Sequence, residues 1–124
     1  MATMVHEVRR ETTKRYGDRP ALRVKRDGGW RTTTWSAYER EARRVGRALV
    51  KLGVEPGKGV AIIGHNGPEW LEADIGAILA GAVPAGIYTT SSPEQVRYIT
   101  DHCEAKVAFA DTPEQVEKFV AEQD

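Results

Sequence analysis

A chain of 124 residues is long enough for one compact domain, and a hydrophobic content of 40% excludes wholesale disorder. Its 18 basic residues balance its 18 acidic ones, which argues against a nucleic-acid-binding protein, because such proteins usually carry a basic excess. Basic side chains do gather between Arg9 and Arg26, but acidic ones are interspersed. A solvated surface is therefore favoured over one that binds a membrane or a polyanion.

The chain lacks the signals of secretion and membrane insertion. Its single cysteine, Cys103, excludes an internal disulfide bond and favours a reducing compartment. No apolar run approaches the roughly 20 residues of a membrane-spanning helix, and residues 1–16 lack the apolar segment of a signal peptide. These features predict a cytoplasmic protein with no transmembrane segment, whose contact with a membrane, if any, is peripheral.

The N-terminal part of the chain predicts a helix and then a β-hairpin. The helix is expected at Val5–Tyr16, within a leader segment over residues 1–18. Two short strands, Ala21–Lys25 and Trp30–Trp35, flank an Asp-Gly-Gly turn, which is typical of a hairpin.

A long amphipathic helix is predicted next. Ser36 and Glu39 have the spacing of a capping box, which places the N-cap at Ser36. Apolar residues then recur every three or four positions and predict a buried stripe, and Gly53 is expected to follow the helix in a left-handed conformation. The stripe consists of Tyr38, Ala42, Val45, Leu49 and Leu52.

Three strands alternate with three helices in the remainder of the chain. The strands are predicted at Val60–Ile63, Val83–Tyr88 and Lys106–Ala110, and Pro84 restricts the second to a sheet edge or to a start after that residue. Short strand–helix–strand connections are right-handed and give a parallel sheet. The sequence therefore predicts an α/β fold with a doubly wound parallel sheet. Its last strand would leave an unpaired edge, so we expect part of a larger sheet.

Each of these three helices is expected to begin at a proline, namely Pro68, Pro93 or Pro113. Ser92 and Thr112 are predicted to cap the last two, since each stands three residues before a glutamine. The residues expected to face inward are Trp70, Leu71, Ile75, Ile78, Leu79, Val96, Ile99, Cys103, Val116, Phe119 and Val120.

Two loops follow strands at the sheet edge where open α/β folds bind ligands. The first contains His65 and Asn66, but its glycines lack the spacing of a dinucleotide site, so a tight turn is the favoured explanation. His65 could exchange protons there, yet no acid or nucleophile can be assigned to it from the sequence. The second loop, with Tyr88, Thr89 and Thr90, places hydroxyl groups beside a helix N-terminus, where anions are favoured, although helix capping explains it more simply.

These five loop residues are the candidate substrate- or nucleotide-adjacent positions. A metal site is not predicted, because His102 and Cys103 are adjacent on a helix and lack the spacing of zinc ligands. No set of catalytic residues can be assigned.

Three blocks of the sequence resemble adenylate-forming ligases, and the resemblance spans about residues 19–120. Residues 34–39 (Thr-Trp-Ser-Ala-Tyr-Glu) are similar to the family's entry into its first large helix. Residues 66–70 (Asn-Gly-Pro-Glu-Trp) resemble the Asn-Ser-Pro-Glu-Trp element of long-chain acyl-CoA synthetases, with Gly67 in place of the usual serine. Residues 86–94 (Gly-Ile-Tyr-Thr-Thr-Ser-Ser-Pro-Glu) are similar to the bubblegum branch of very-long-chain acyl-CoA synthetases.

This resemblance implies a two-step reaction. A fatty acid and ATP form an acyl-adenylate and pyrophosphate with the help of Mg²⁺, and the acyl group then passes to the thiol of coenzyme A. It also implies that residues 19–124 are an incomplete N-terminal part of an AMP-binding domain. The family's Ser/Thr/Gly-rich loop ending in Pro-Lys is absent from the 124 residues, so no catalytic residue is carried over. The chain alone is expected to be inactive and to bind ATP, Mg²⁺ and CoA weakly at most.

Two alternatives stay open at this point. The chain could be a stand-alone binding or interaction module derived from such a ligase, or an independent flavodoxin-like nucleotide binder. A homodimer is also open, because the unpaired sheet edge would favour self-association. The length of the acyl chain is not indicated.

Overall fold

The computed structural model describes residues 4–121, and within this range the chain forms five helices and five strands. In chain order they are α1 (Val5–Tyr16), β1 (Pro20–Arg26), β2 (Gly29–Thr34), α2 (Trp35–Lys51), β3 (Gly59–Ile63), α3 (Pro68–Leu79), β4 (Val83–Ile87), α4 (Pro93–His102), β5 (Ala108–Ala110) and α5 (Pro113–Val120). None of these helices is long and apolar enough to cross a bilayer. The N-terminal helix is confirmed, whereas the division of the chain into segments 1–18 and 19–124 stays a prediction. Residues 1–3 of the first segment and 122–124 of the second lie outside the described residues.

Strands β1 and β2 form the predicted antiparallel hairpin. Asp27 and Gly28 both have positive φ angles, of 51° and 77°, as a tight turn between twisted strands requires. Trp35, which was predicted to end the second strand, instead begins α2.

The other three strands form the predicted parallel sheet in the order β4-β3-β5. The apolar strand β3 lies in the centre, and all five of its residues are buried. Pro84 lies in β4 at the edge of the sheet, where a missing N–H group costs no ladder hydrogen bond, as predicted. Strand β5 is confirmed but is only three residues long.

Helices cover both faces of the parallel sheet, which confirms the doubly wound α/β class. Helices α2 and α3 pack on one face around Leu49, Val60 and Ala77. Val96 of α4 packs on the other face against Ile63, with α5 beside it. The chain passes from β3 to β4 by way of α3, and from β4 back across β3 to β5 by way of α4. The strand order therefore reverses between β3 and β5, and a doubly wound sheet has its ligand-binding crevice at such a reversal.

Helices α2 and α3 approach each other closely through two glycines. A Cβ atom on Gly76 would lie 2.4 Å from a methyl carbon of Val45, and one on Gly46 would lie 3.2 Å from the carbonyl oxygen of Gly76. The absence of both side chains lets the two helices bury Leu49 and Ala77 between themselves and the sheet.

The N-cap of α2 is two residues before the predicted position. Thr34 Oγ1 accepts a hydrogen bond from the Ala37 N–H at 3.1 Å, so Thr34 and not Ser36 caps the helix. Glu39, the expected second member of a Ser36 capping box, instead forms an ion pair with Arg9 of α1. The capping prediction was wrong because a tertiary contact takes the carboxylate that the local pattern assigned to the helix end.

Four residues that were predicted to face inward are exposed. Leu52 is 68% exposed because α2 has ended and Gly53, with its φ angle of 87°, turns the chain away, as predicted for this glycine. Leu71 lies on the outer side of α3 and is 37% exposed. Val116 and Val120 of α5 are 45% and 51% exposed, since this helix packs on α4 and β5 and nothing else in residues 4–121 covers its far side.

The predicted caps of α4 and α5 are confirmed. Ser92 Oγ accepts a hydrogen bond from the Gln95 N–H, and the Gln95 side chain accepts one from the Ser92 N–H, which completes a capping box. Thr112 Oγ1 accepts from the Gln115 N–H. These hydrogen bonds set the directions in which the chain leaves β4 and β5.

Candidate functional site

An open cleft of about 510 Å³ lies at the carboxyl ends of β3 and β5, where the strand order reverses. Its floor is apolar and its rim is polar. Residues that contribute to the floor are Ile62, Trp70, Ala73 and Phe109, and those that contribute to the rim are Arg26, His65, Asn66, Glu69 and Asp111. The cleft therefore occupies the position that the topology of the sheet predicts for a ligand site.

His65 has a partner that the sequence did not reveal. Its backbone N–H donates to Asp111 Oδ2 at 2.9 Å, and its Nδ1 lies 3.1 Å from the same oxygen. Asp111 directly follows β5, and His65 follows β3 after one glycine, so the neighbouring strands bring together two residues that are 46 positions apart. The position of Asp111 after a strand was a usable signal, but only with the strand order known. The His65 side chain is 77% exposed, which leaves its second ring nitrogen accessible to solvent.

The contact between His65 and Asp111 makes the free energy of unfolding depend on pH in the acidic range. Both hydrogen bonds from His65, the backbone one first, hold the pKa of Asp111 below its usual 3.8. A carboxyl group whose pKa is lower in the folded than in the unfolded state stabilises the fold at pH values above its unfolded-state pKa. This stabilisation is lost below about pH 4, as the pH falls through the folded-state pKa. Asp111→Asn, whose amide oxygen can still accept from the His65 N–H, should therefore lose unfolding free energy less steeply between about pH 4 and pH 2 than the parent chain. Urea titrations at each pH measure both slopes, and equal slopes would contradict this role of Asp111.

A second pair of charges joins the hairpin to the cleft. The guanidinium of Arg26 in β1 makes two parallel hydrogen bonds of 2.7 Å to the carboxylate of Glu69 in the first turn of α3. This pairing lowers the pKa of Glu69 and raises that of Arg26. A Cβ atom on Gly67 would lie 3.2 Å from Glu69 Oε2 and 3.3 Å from Arg26 Nη2. The glycine that replaces the usual serine thus leaves room for the paired side chains.

The second predicted loop does not line the cleft. Tyr88 and Thr90 are exposed, Tyr88 at 84%, beyond the carboxyl end of edge strand β4. The Thr89 carbonyl accepts hydrogen bonds from Lys118 Nζ at 2.7 Å and Gln115 Nε2 at 3.2 Å, which ties this loop to α5. Of the five candidate positions, the structure thus places His65 and Asn66 at the cleft, Thr89 in contact with α5, and Tyr88 and Thr90 in solvent on either side of Thr89.

The described residues do not fit a magnesium–triphosphate site. Between residues 4 and 121 there is no cluster of three His, Cys, Asp or Glu side chains that could hold a metal ion. The cleft cation Arg26 is occupied by Glu69, and the carboxylate of Asp111 is occupied by His65. Binding a nucleotide and Mg²⁺ would require groups that these residues do not supply.

Comparison with known proteins agrees with this fold. The family model described as "AMP-binding enzyme" matches residues 9–124. A solved anthranilate CoA ligase, AuaEII in complex with anthranoyl-AMP, superposes with a TM-score of 0.83 at 27% identity, covering 93% of this chain and 21% of that one. The chain belongs to the AMP-binding enzyme family.

Relatives from vertebrates narrow the relationship. The long-chain-fatty-acid–CoA ligase ACSBG1 of Mus musculus is 41% identical over 116 residues, which is 94% of this chain and 16% of the ligase. ACSBG2 of Gallus gallus is 44% identical over 103 residues, or 83% of this chain and 14% of the ligase. The chain is thus homologous to the N-terminal region of long-chain fatty acid–CoA ligases and spans about one sixth of their length, which confirms the resemblance noted in the sequence.

Proposed function

We propose that this chain forms the N-terminal part of the AMP-binding domain of a cytoplasmic long-chain fatty acid–CoA ligase. The observation that supports this most is the identity of about two residues in five with ACSBG1 over nearly the whole chain. The complete enzyme would convert a fatty acid, ATP and CoA into acyl-CoA, AMP and pyrophosphate through an acyl-adenylate.

Within that enzyme the described residues serve mainly as scaffold. The first step brings two anions together at phosphorus and calls for a clamp of positive and hydroxyl groups, which Mg²⁺ would complement. The charges at the cleft are paired with one another, so the clamp belongs to other parts of the enzyme. The loop with His65 and Asn66 borders the cleft and would shape access to it. The loop with Tyr88, Thr89 and Thr90 does not line the cleft and would meet the substrates only beyond edge strand β4.

The 124-residue chain alone should show no fatty-acid-dependent exchange of pyrophosphate into ATP. A chimera of mouse ACSBG1, in which residues 9–121 of this chain replace the matching segment, should retain such exchange, because homologous scaffold segments fold onto the same partner surfaces. Radiolabelled pyrophosphate exchange with palmitate measures both.

Unaltered mouse ACSBG1 serves as the positive control for the assay, and circular dichroism checks that the chimera is folded. Exchange by the short chain itself would overturn the scaffold role. A folded chimera without any exchange would count against the proposed ligase function, and tight ATP binding by the short chain would favour an independent nucleotide binder.

A further inference from the structure

The hairpin has an exposed face that neither the core nor the cleft uses. Lys25 is paired directly with Trp30 across the two strands, and Arg23 with Thr32, so these four side chains lie on one face. Leu22 and its neighbours on the opposite face are the half-buried ones that pack towards α2. All four residues of the outer face are exposed, and Trp30 is 69% exposed.

This hairpin is strongly basic in a chain that is neutral as a whole. Between Pro20 and Thr34 four cations stand against one acid, Asp27, which gives a local charge of +3. Two of the cations are engaged, since Arg26 pairs with Glu69 and Arg31 lies 3.8 Å from Asp27. Within residues 4–121 neither of the other two, Arg23 and Lys25, has a carboxylate at ion-pair distance. We name the surface formed by Arg23, Lys25, Trp30 and Thr32 the hairpin outer face.

We propose that the hairpin outer face docks the protein on the surface of an anionic lipid bilayer. Tryptophan favours the boundary between water and lipid, because its ring is apolar and its N–H can still reach water, and lysine and arginine next to it attract acidic headgroups. The proposal rests on the proposed function, because the substrate of the proposed ligase, a long-chain fatty acid, partitions into membranes. Arg26 follows Lys25 on the same strand but points to the opposite face and borders the cleft, so the docking face and the cleft lie on the two sides of one hairpin.

A membrane fits this face better than a nucleic acid does. Nucleic-acid binders stack several bases on aromatic rings along a basic groove, whereas the hairpin outer face has one tryptophan on a protruding ribbon and the chain has no net charge. One tryptophan at the end of a hairpin, flanked by two cations, is instead suited to shallow insertion.

The binding should be weak, which decides how it has to be measured. Each cation near an anionic surface contributes a factor of about five to the binding constant. Two cations and one indole ring together bind a membrane more weakly than a stable anchor does, since a stable anchor combines two strong features such as a lipid chain and a polybasic patch. The bound fraction should therefore become measurable only at millimolar lipid.

Flotation of the 124-residue chain with vesicles tests the proposal. The chain should float with equimolar phosphatidylcholine and phosphatidylglycerol vesicles, should not float with phosphatidylcholine alone, and should dissociate as salt is added. Trp30→Ala, and separately Arg23→Glu with Lys25→Glu, should each lower the binding constant, the latter by at least about tenfold because two charges are reversed. The matched control is Arg47→Glu with Lys51→Glu, an equal change of charge at exposed positions of α2, which should retain most of the binding.

Circular dichroism would show that all variants are folded, as expected for exposed positions. The proposal is overturned if the parent chain does not bind anionic vesicles, or if the control pair loses as much binding as the hairpin pair. Binding to a single-stranded oligothymidine in place of vesicles would also overturn it and assign the face to nucleic acid. If the chain binds vesicles but its ACSBG1 chimera is inactive, the docking proposal is retained and only the ligase function is rejected.

Discussion

Leu49→Ala should lower the free energy of unfolding by about 3 kcal/mol, whereas Leu52→Ala should change it by less than about 0.5 kcal/mol. Both leucines belong to the same apolar stripe in the sequence. Leu49 is fully buried between α2 and the sheet, against Val60 and Ala77, and its truncation would leave a cavity in a packed interior. Leu52 is 68% exposed beyond the end of α2, so its truncation removes little buried surface.

Urea denaturation of the two variants and the parent chain, followed by far-ultraviolet circular dichroism, measures these changes. The chemical change is the same at both positions, so the size of the removed side chain cancels in the comparison. Equal losses at Leu49 and Leu52 would contradict the position at which α2 ends. A loss at Leu49 of less than about 1 kcal/mol would contradict the packing of α2 on the parallel sheet.

Glu39→Ala should destabilise the chain by about 3 kcal/mol and Arg9→Met by less than about 1.5 kcal/mol. The two residues form an ion pair between α1 and α2, and their side chains are only 12% and 5% exposed. Removing the carboxylate leaves the buried guanidinium, whose pKa burial already lowers, with no other carboxylate partner in residues 4–121. Removing the guanidinium leaves Glu39 paired with Arg43 Nε at 2.7 Å, and methionine fills much of the volume.

The double variant Arg9→Met with Glu39→Leu tests the reason for this asymmetry. It should be within about 1 kcal/mol of the parent chain, because the desolvation of both charges is removed together with their attraction. Arg44→Met, which removes an exposed pair with Glu41 on the same helix, serves as the control and should cost about 0.5 kcal/mol or less. An Arg9→Met variant that is less stable than Glu39→Ala would show that Arg43 does not support the carboxylate.

Local patterns in the sequence were enough for most of the fold. The Asp-Gly-Gly turn predicted the hairpin because only a few residues tolerate positive φ angles, and Asp27 and Gly28 have them. Ser92 and Thr112 were correctly predicted as caps because each hydrogen bond closes within three residues. The same reasoning failed at Ser36, where Glu39 is drawn to Arg9 on another helix.

The candidate site was only half visible in the sequence. His65 and Asn66 were found because they follow a buried strand, and such positions border ligand sites in open sheets. Asp111 was missed, although it also follows a strand, because its contact with His65 joins residues 46 positions apart. The hairpin outer face was missed for a related reason. The basic residues near the N-terminus were visible, but their separation from the acidic ones on one face depends on strand pairing.

The sequence by itself determined the order and type of the elements, the parallel sheet and the family. Each of these depends on spacings of a few residues or on short segments of consecutive residues that resemble a known family. Only the tertiary structure decided which of two equivalent leucines is buried, which acid His65 contacts and which cations of the hairpin have no carboxylate at ion-pair distance among the residues that the structure describes. The physical reason is that these properties depend on contacts between segments far apart in the chain. Burial, pairing and desolvation of a side chain are set by its neighbours in space, and one sequence pattern is compatible with many sets of such neighbours.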